Sequence, residues 1–192
     1  MKKKILMTCL CVALAVLTIA GTTLAYLTST DTVTNTFTVG NVAITLDEAK
    51  VNTDGTVVEG ADRVKTNSYK LMPGHTYTKD PTVHVAAGSE KCYVFVKVEN
   101  GIAALEATDN TIANQITANG WMALTGVEGV YYKVVDAATT DTDLTVFSSF
   151  KLAVDANSKT EWKGEDIKVN VTAYAIQADG FDTADAAWAA FE

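Results

Sequence analysis

Near the start of the chain, residues 27–39 follow a hydrophobic and polar pattern with an unbroken period of two. One face of this extended segment carries the apolar side chains Leu27, Val33, Phe37 and Val39, with Ser29, Asp31 and Asn35 between them. The other face is threonine throughout: Thr28, Thr30, Thr32, Thr34, Thr36 and Thr38. A period of two with β-branched residues is typical of a β-strand. We predict a long first strand within residues 26–39 and, after the break at Gly40-Asn41, a second strand through residues 42–46.

Strand patterns continue through the rest of the chain, with turn residues between them. Cys92–Val96 is apolar on both faces, which predicts a central strand covered on two sides. Alternation in Ile167–Ile176 places its apolar residues on one face. The remaining predicted segments are a polar loop or hairpin, a turn and three strands: Glu48–Ser68, Pro73-Gly74, Thr82–Val85, Val130–Val135 and Leu144–Val154.

Only two segments have helical patterns. The first, Asp109–Asn119, is predicted to be capped by Asp109 and to end before Gly120. The second is predicted to be capped by Asp182, with Asp185 in its first turn. It would bury a stripe of three side chains: Ala184, Trp188 and Phe191. Seven or eight strands with few helices predict a mainly all-β fold, an antiparallel jelly-roll-like β-sandwich with short peripheral helices.

The first 25 residues read as an export signal. Three lysines at positions 2–4 precede an uncharged apolar run from Ile5 to Ala20, and small residues occupy positions 23 and 25. We predict cleavage between Ala25 and Tyr26 and one domain over residues 26–192. A retained membrane anchor is the alternative, but the run is shorter than the ~20 residues of a spanning helix. The mature protein is then secreted, to the extracellular matrix or cell surface.

The charge balance narrows the range of partners. The 192 residues contain 23 acidic against 15 basic side chains, a formal net charge of −8. This acidic balance argues against nucleic acid as a partner, because nucleic-acid binding normally requires a basic face. Contact with a membrane is expected only through the uncleaved signal peptide.

No catalytic or cofactor-binding motif is visible, so we predict a protein that is not an enzyme and holds no metal or cofactor. Two histidines cannot form a three-histidine site, and neither HExxH nor GxSxG occurs. His84 reads as a surface residue, with a weak metal site beside Asp80 and Glu90 as the alternative. Cys92 reads as a buried apolar side chain rather than a reactive thiol.

Two further groups of residues have a functional and a structural interpretation. An acidic group could bind calcium, although solvated loop charge is the simpler interpretation: Asp136, Asp141 and Asp143. Three tryptophans could stack on sugar rings, although residues of this kind more often belong to a core: Trp121, Trp162 and Trp188.

Three blocks of sequence carry a resemblance. Leu24–Thr28 with Asn35–Val42, then Leu71–Asp80, and finally Ala173–Gln177 resemble the TasA/camelysin family of Gram-positive bacteria. The resemblance implies a jelly-roll subunit, exported through a dedicated SipW-type signal peptidase, that polymerises into biofilm-matrix fibres. Camelysins carry a metallopeptidase label, but the zinc-binding helix that label leads one to expect is missing from this sequence.

The residues suggest how polymerisation would work. Cleavage frees residues 26–39 as an assembly strand that completes the sheet of the next subunit, with the four apolar side chains named above as plugs. Such head-to-tail contact gives a homopolymer, with other matrix proteins as further partners. In the alternative, the strand folds back onto its own sheet. Two other functions stay open: a secreted carbohydrate- or surface-binding module and, more weakly, a camelysin-like metallopeptidase.

Overall fold

Nine antiparallel strands and a few short helices make up the described part of the chain. The computed structural model describes residues 40–137, 139–163 and 167–192, and these residues belong to one compact unit. The strands are β1 Ile44–Asp47, β2 Thr76–Thr78, β3 Thr82–Val85, β4 Cys92–Asn100, β5 Met122–Ala123, β6 Val130–Val135, β7 Thr142–Thr145, β8 Ser149–Lys151 and β9 Val169–Gln177. The α-helices are α1 Ile112–Ala118 and α2 Ala184–Trp188, and 3₁₀ turns span Ala103–Leu105, Ala156–Ser158, Thr160–Lys163 and Ala189–Phe191.

Two sheets enclose the main core. One sheet has the strand order β1-β3-β7 and the other β5-β6-β4-β9, while β2 and β8 form a separate two-stranded ribbon. Alternate residues of β4 enter the main core, and four of them are buried: Cys92, Val94, Val96 and Val98. The predicted all-β antiparallel sandwich is therefore confirmed.

The central strand carries apolar residues on both faces, as its sequence predicts. Phe95 points to the other side of β4, into a second cluster with Trp188 and Ala187 of α2. Ring centroids of Phe95 and Trp188 lie 5.3 Å apart. The C-terminal helix thus covers the outer face of the four-stranded sheet, and β4 is buried from two sides.

The segment Leu144–Val154 is not the single strand that its pattern predicts. It divides between β7 in the three-stranded sheet and β8 in the ribbon. Val146 and Phe147, which lie between the two strands, are both 0% exposed. Consecutive side chains of a regular strand point to opposite faces. Because the consecutive residues Val146 and Phe147 are both buried, the chain changes direction here, between the three-stranded sheet and the ribbon.

Both predicted helix caps are shifted. Thr111 caps α1, with its hydroxyl accepting from Asn114 N at 3.2 Å, whereas the predicted cap Asp109 pairs with Lys151 Nζ at 2.9 Å. Thr183 rather than Asp182 caps α2, accepting from Ala186 N at 3.2 Å.

The helical stripe predicted near the C-terminus is only partly right. Ala184 and Trp188 are buried as expected, and Ala187 is buried as well. Phe191 lies in a 3₁₀ turn rather than in the α-helix and is 38% exposed.

Candidate functional site: a groove between two sheet edges

The longest sheet edge in the described residues belongs to β9. This nine-residue strand pairs only with β4 and ends the four-stranded sheet. The other edge strands are shorter: β1 and β7 have four residues each, and β5 has two. Short edge strands commonly protect a sheet against pairing with other chains. β9 lacks this protection because it is long and one of its edges has no partner strand among the described residues.

Backbone groups of alternate β9 residues face this edge. Lys168 O accepts from Gly101 N at 2.8 Å and Ala178 N donates to Lys91 O at 2.8 Å, so the even-numbered residues bond to β4. The N–H and C=O groups of the odd-numbered residues therefore point away from β4. Within the described residues no strand or isolated bridge pairs with them: Val169, Val171, Ala173, Ala175 and Gln177.

β1 offers a second, shorter free edge. Ala86 N donates to Ala43 O at 2.9 Å, so the odd-numbered residues of β1 face β3, while Ile44 and Leu46 face outward. The ammonium of Lys65 donates to the outward-facing carbonyl of Leu46. Beyond this point the edge closes, because Glu48 exchanges backbone bonds of 2.9 and 2.8 Å with Val64.

A groove of about 890 Å³ lies between these two edges, and we call it the edge groove. Its apolar lining includes Leu46, Leu71, Phe150, Ile167, Val169 and Val171. Its polar lining includes Asp47, Glu48, Lys65, Asn67 and Lys79. The groove thus combines unpaired backbone groups with an apolar wall and a polar end.

The polar end is built around the carboxylate of Glu48. Its Oε2 accepts from Lys79 Nζ at 2.6 Å, and its Oε1 accepts from Asn67 Nδ2 at 3.0 Å. The side chains of Glu48 and Lys79 are only 5% and 12% exposed. Burial raises the pKa of the adjacent Tyr69 well above its usual range, and the negative charge of Glu48 adds to the effect.

An ionic ladder crosses the outer face of the three-stranded sheet next to this groove. His84 Nε2 lies 2.9 Å from Asp47 and Nδ1 lies 2.6 Å from Asp143, which joins β1, β3 and β7. Arg63 also binds Asp47 and reaches Asp80 at 2.9 Å. Burial alone would raise the pKa of Asp47, but the hydrogen bonds from Arg63 and His84 outweigh burial and the pKa is lowered.

The two candidate metal groups are not assembled as metal sites. His84 contacts Asp47 and Asp143 instead of Asp80 and Glu90. The three loop acids have separate partners, since Asp136 pairs with Lys91 at 3.0 Å and Asp141 accepts from Ala87 N at 2.8 Å. Across the described ranges, no three His, Cys, Asp or Glu side chains come together in a way that could hold a metal ion.

Cys92 and two of the three tryptophans, Trp121 and Trp188, are buried core residues. Cys92 is 0% exposed, and burial raises the pKa of its thiol, as expected for a core residue. Trp121 is 2% exposed and its indole N–H donates to Thr145 O at 3.0 Å. Trp188 is buried too, and Trp162 packs partly buried against the main core.

Sequence reasoning did not find the edge groove, and the predicted site residues lie elsewhere. The cleavage pair Ala25 and Tyr26 falls outside the described residues. So does the assembly strand with its four plugs: Leu27, Val33, Phe37 and Val39. The sequence held no signal for the groove, because strand order brings together segments that are distant in sequence. Among the described helices, none has the length and apolar character to cross a membrane.

Fold and groove together define an antiparallel β-sandwich domain with one long strand edge open for pairing. The sequence model of the family described as camelysin metallo-endopeptidase matches residues 1–88, which contain β1 to β3. This family includes TasA, so the predicted resemblance to the TasA/camelysin family is confirmed for residues 1–88. No curated protein and no solved structure matches the chain.

The family's description implies a catalytic metal, and the donor groups of the described residues do not fit one. Metal-binding histidine presents a free ring nitrogen to the ion. Both ring nitrogens of His84 are held by carboxylates, and His75 packs its ring 5.0 Å from that of Tyr77. No catalytic step can be assigned to these side chains.

Proposed function

We propose that this protein is a secreted structural subunit of extracellular or biofilm-matrix fibres and does not act as an enzyme. A dedicated signal peptidase would cut between Ala25 and Tyr26, and residues 26–39 would then pair with the next subunit. The family match supports this proposal, since it covers both the predicted signal and the predicted assembly strand. Other matrix proteins are expected partners at the cell surface.

The free edge of β9 is the observation that carries the proposal. A strand added there would bond to the outward backbone groups of five residues, from Val169 to Gln177. Main-chain bonds of this kind supply affinity, and pockets for alternate side chains supply specificity. The edge groove provides both, because apolar side chains line it beside the free backbone.

The assembly strand has the side chains that such a groove requires. Its four apolar residues share one face: Leu27, Val33, Phe37 and Val39. Burying four side chains of this kind contributes roughly 6–12 kcal/mol before ordering costs. A subunit that gives its strand to one neighbour and receives a strand from another makes a head-to-tail contact, which grows filaments.

Substitutions on the two faces of the assembly strand test the proposal. The mature chain from Tyr26 should form filaments visible by electron microscopy and elute at high mass in size-exclusion chromatography. Phe37→Asp should abolish them, because it places a charge in the apolar groove. Deletion of residues 26–36 should do the same. Thr36→Asp is the matched control on the opposite face and should still polymerise.

Filaments that survive both Phe37→Asp and the deletion would refute the strand-addition mechanism. A mature chain that stays monomeric would favour the alternative in which the strand folds back onto its own sheet.

Two further assays separate the other function classes. Glycan binding by a monomer that is lost in Trp162 variants would favour a binding module, and casein hydrolysis abolished by a chelator would favour a peptidase.

A further inference from the structure

We propose that Lys79 at the polar end of the edge groove binds Asp31 of the inserted strand and thereby sets its register and direction. This inference rests on the proposed function, because it concerns how the groove selects its occupant. The occupant is residues 26–39 of a second copy of this chain.

Lys79 retains hydrogen-bonding capacity inside the groove. An ammonium group has three N–H donors. Among the described residues, Lys79 Nζ has one side-chain acceptor, Glu48 Oε2 at 2.6 Å, although its side chain is only 12% exposed. An entering carboxylate could therefore bind Lys79 on the side away from Glu48, and a buried charge-assisted bond of this type is strong.

The neighbouring charges are already engaged. Asp47 is held by Arg63 and His84, and the Lys65 ammonium covers the Leu46 carbonyl. Of the three lysines that line the groove, Lys79 is the least exposed, and its partner Glu48 follows the core-packed Leu46 by two residues.

The assembly strand has one charged residue that matches this position. Asp31 is the only charged side chain in residues 26–39, and it lies on the same face as Val33 and Phe37. A lone acid on an apolar face requires a partner when that face is buried. Lys79 supplies the positive charge and an N–H donor.

Placing Asp31 beside Lys79 also fixes the direction of the strand. Lys79 and Glu48 line the groove together with residues 167–172, and of β9 this set includes only the first four residues. Residues 31–39 contain nine residues, the same number as β9. Running parallel to β9 and antiparallel to β1, they would follow the whole free edge, whereas the opposite direction would carry Val33–Val39 beyond the start of β9.

Moving the acid along the assembly strand tests the register. Sedimentation gives the critical concentration for polymerisation of the mature chain and two variants, Asp31→Asn and the double variant Asp31→Asn/Asn35→Asp. Loss of a buried charge-assisted bond should raise the critical concentration about tenfold or more in the first variant. The double variant restores the charge on the same face four residues away and should not recover.

Cross-linking tests the contact itself. Polymers of mixed ¹⁵N-labelled and unlabelled subunits are treated with a carbodiimide, which joins a carboxylate to an amine in direct contact. Mass spectrometry should find Asp31 of one subunit linked to Lys79 of another. Links from Asp31 to Lys65 or Lys168 instead would overturn the assignment, and so would recovery in the double variant.

The failures of the two proposals can be told apart. If the mature chain polymerises and Asp31→Asn has the same critical concentration, the register is wrong while strand addition stands. If the mature chain does not polymerise at all, both proposals fail. Circular dichroism of monomeric Asp31→Asn should match that of the parent chain, because the proposed contact between Asp31 and Lys79 forms only in the polymer.

Discussion

Single side chains join elements that the backbone ladders leave separate. His84 contacts carboxylates of both neighbouring strands, at 2.9 Å to Asp47 and 2.6 Å to Asp143. The hydrogen bond with Asp47 is the main cause of a raised His84 pKa; partial burial opposes it, and Asp143 adds to it. The imidazolium therefore stabilises the three-stranded sheet beside the edge groove.

This contact predicts a pH dependence of stability. A histidine whose pKa is raised in the folded state stabilises the fold fully below its unfolded pKa, and the benefit is lost as pH rises through the folded pKa. We expect the free energy of unfolding to fall as the pH rises above the unfolded histidine pKa of about 6.5, by less than ~1 kcal/mol since the side chain is partly exposed. Urea denaturation at several pH values measures this decrease.

His84→Gln should remove most of that slope. His75→Gln is the matched control, since it removes the other histidine and leaves the ladder with Asp47 and Asp143 intact. An unchanged slope in His84→Gln would show that other groups cause the pH dependence.

At the scale of elements, sequence patterns succeed where burial follows a simple period. Residues 92–96 are apolar on both faces, and β4 is indeed central. The pattern fails at Leu144–Val154. A run of residues with β propensity does not show that the chain passes from one sheet to the two-stranded ribbon at Val146 and Phe147. It also misplaces the cap of α1, since Asp109 and Thr111 are both good caps and only the packed structure assigns Asp109 to Lys151.

Because hydrogen bonds to β4 alternate along β9, proline substitutions at two neighbouring positions of this strand should have different effects. Proline lacks an N–H, so it is tolerated in a strand only where the N–H faces away from the ladder. Val171→Pro should leave the fold cooperative and block polymerisation, because Val171 N–H faces the free edge. Thr172→Pro should instead lower the melting temperature strongly, since the N–H of Thr172 faces Lys97 of β4.

Thermal unfolding by circular dichroism and sedimentation of the polymer distinguish the two proline variants. Equal destabilisation of both would mean that the two N–H groups do not face opposite sides. Filament formation by folded Val171→Pro would mean that the edge of β9 does not take the added strand.

At the scale of the whole molecule, we propose that the edge groove is an interface for a strand of a neighbouring subunit. The strict alternation of residues 27–39 predicts the strand that would enter it. They could not locate the receiving edge, because strand order depends on contacts distant in sequence: β9 borders β4, and β1 borders β3. The buried Glu48–Lys79 pair could not be predicted from sequence patterns either, because its residues are 31 positions apart.

Hydrogen exchange at the amides of β9 tests strand addition most directly. The mature chain, assembled as a polymer, is compared with its Phe37→Asp variant. We predict that the amides of Val169, Val171, Ala173 and Ala175 become protected only in the polymer, while the even-numbered amides between them, already bonded to β4, are protected in both. If those four odd-numbered amides exchange equally fast in the polymer and the variant, no strand pairs with this edge and the account is wrong.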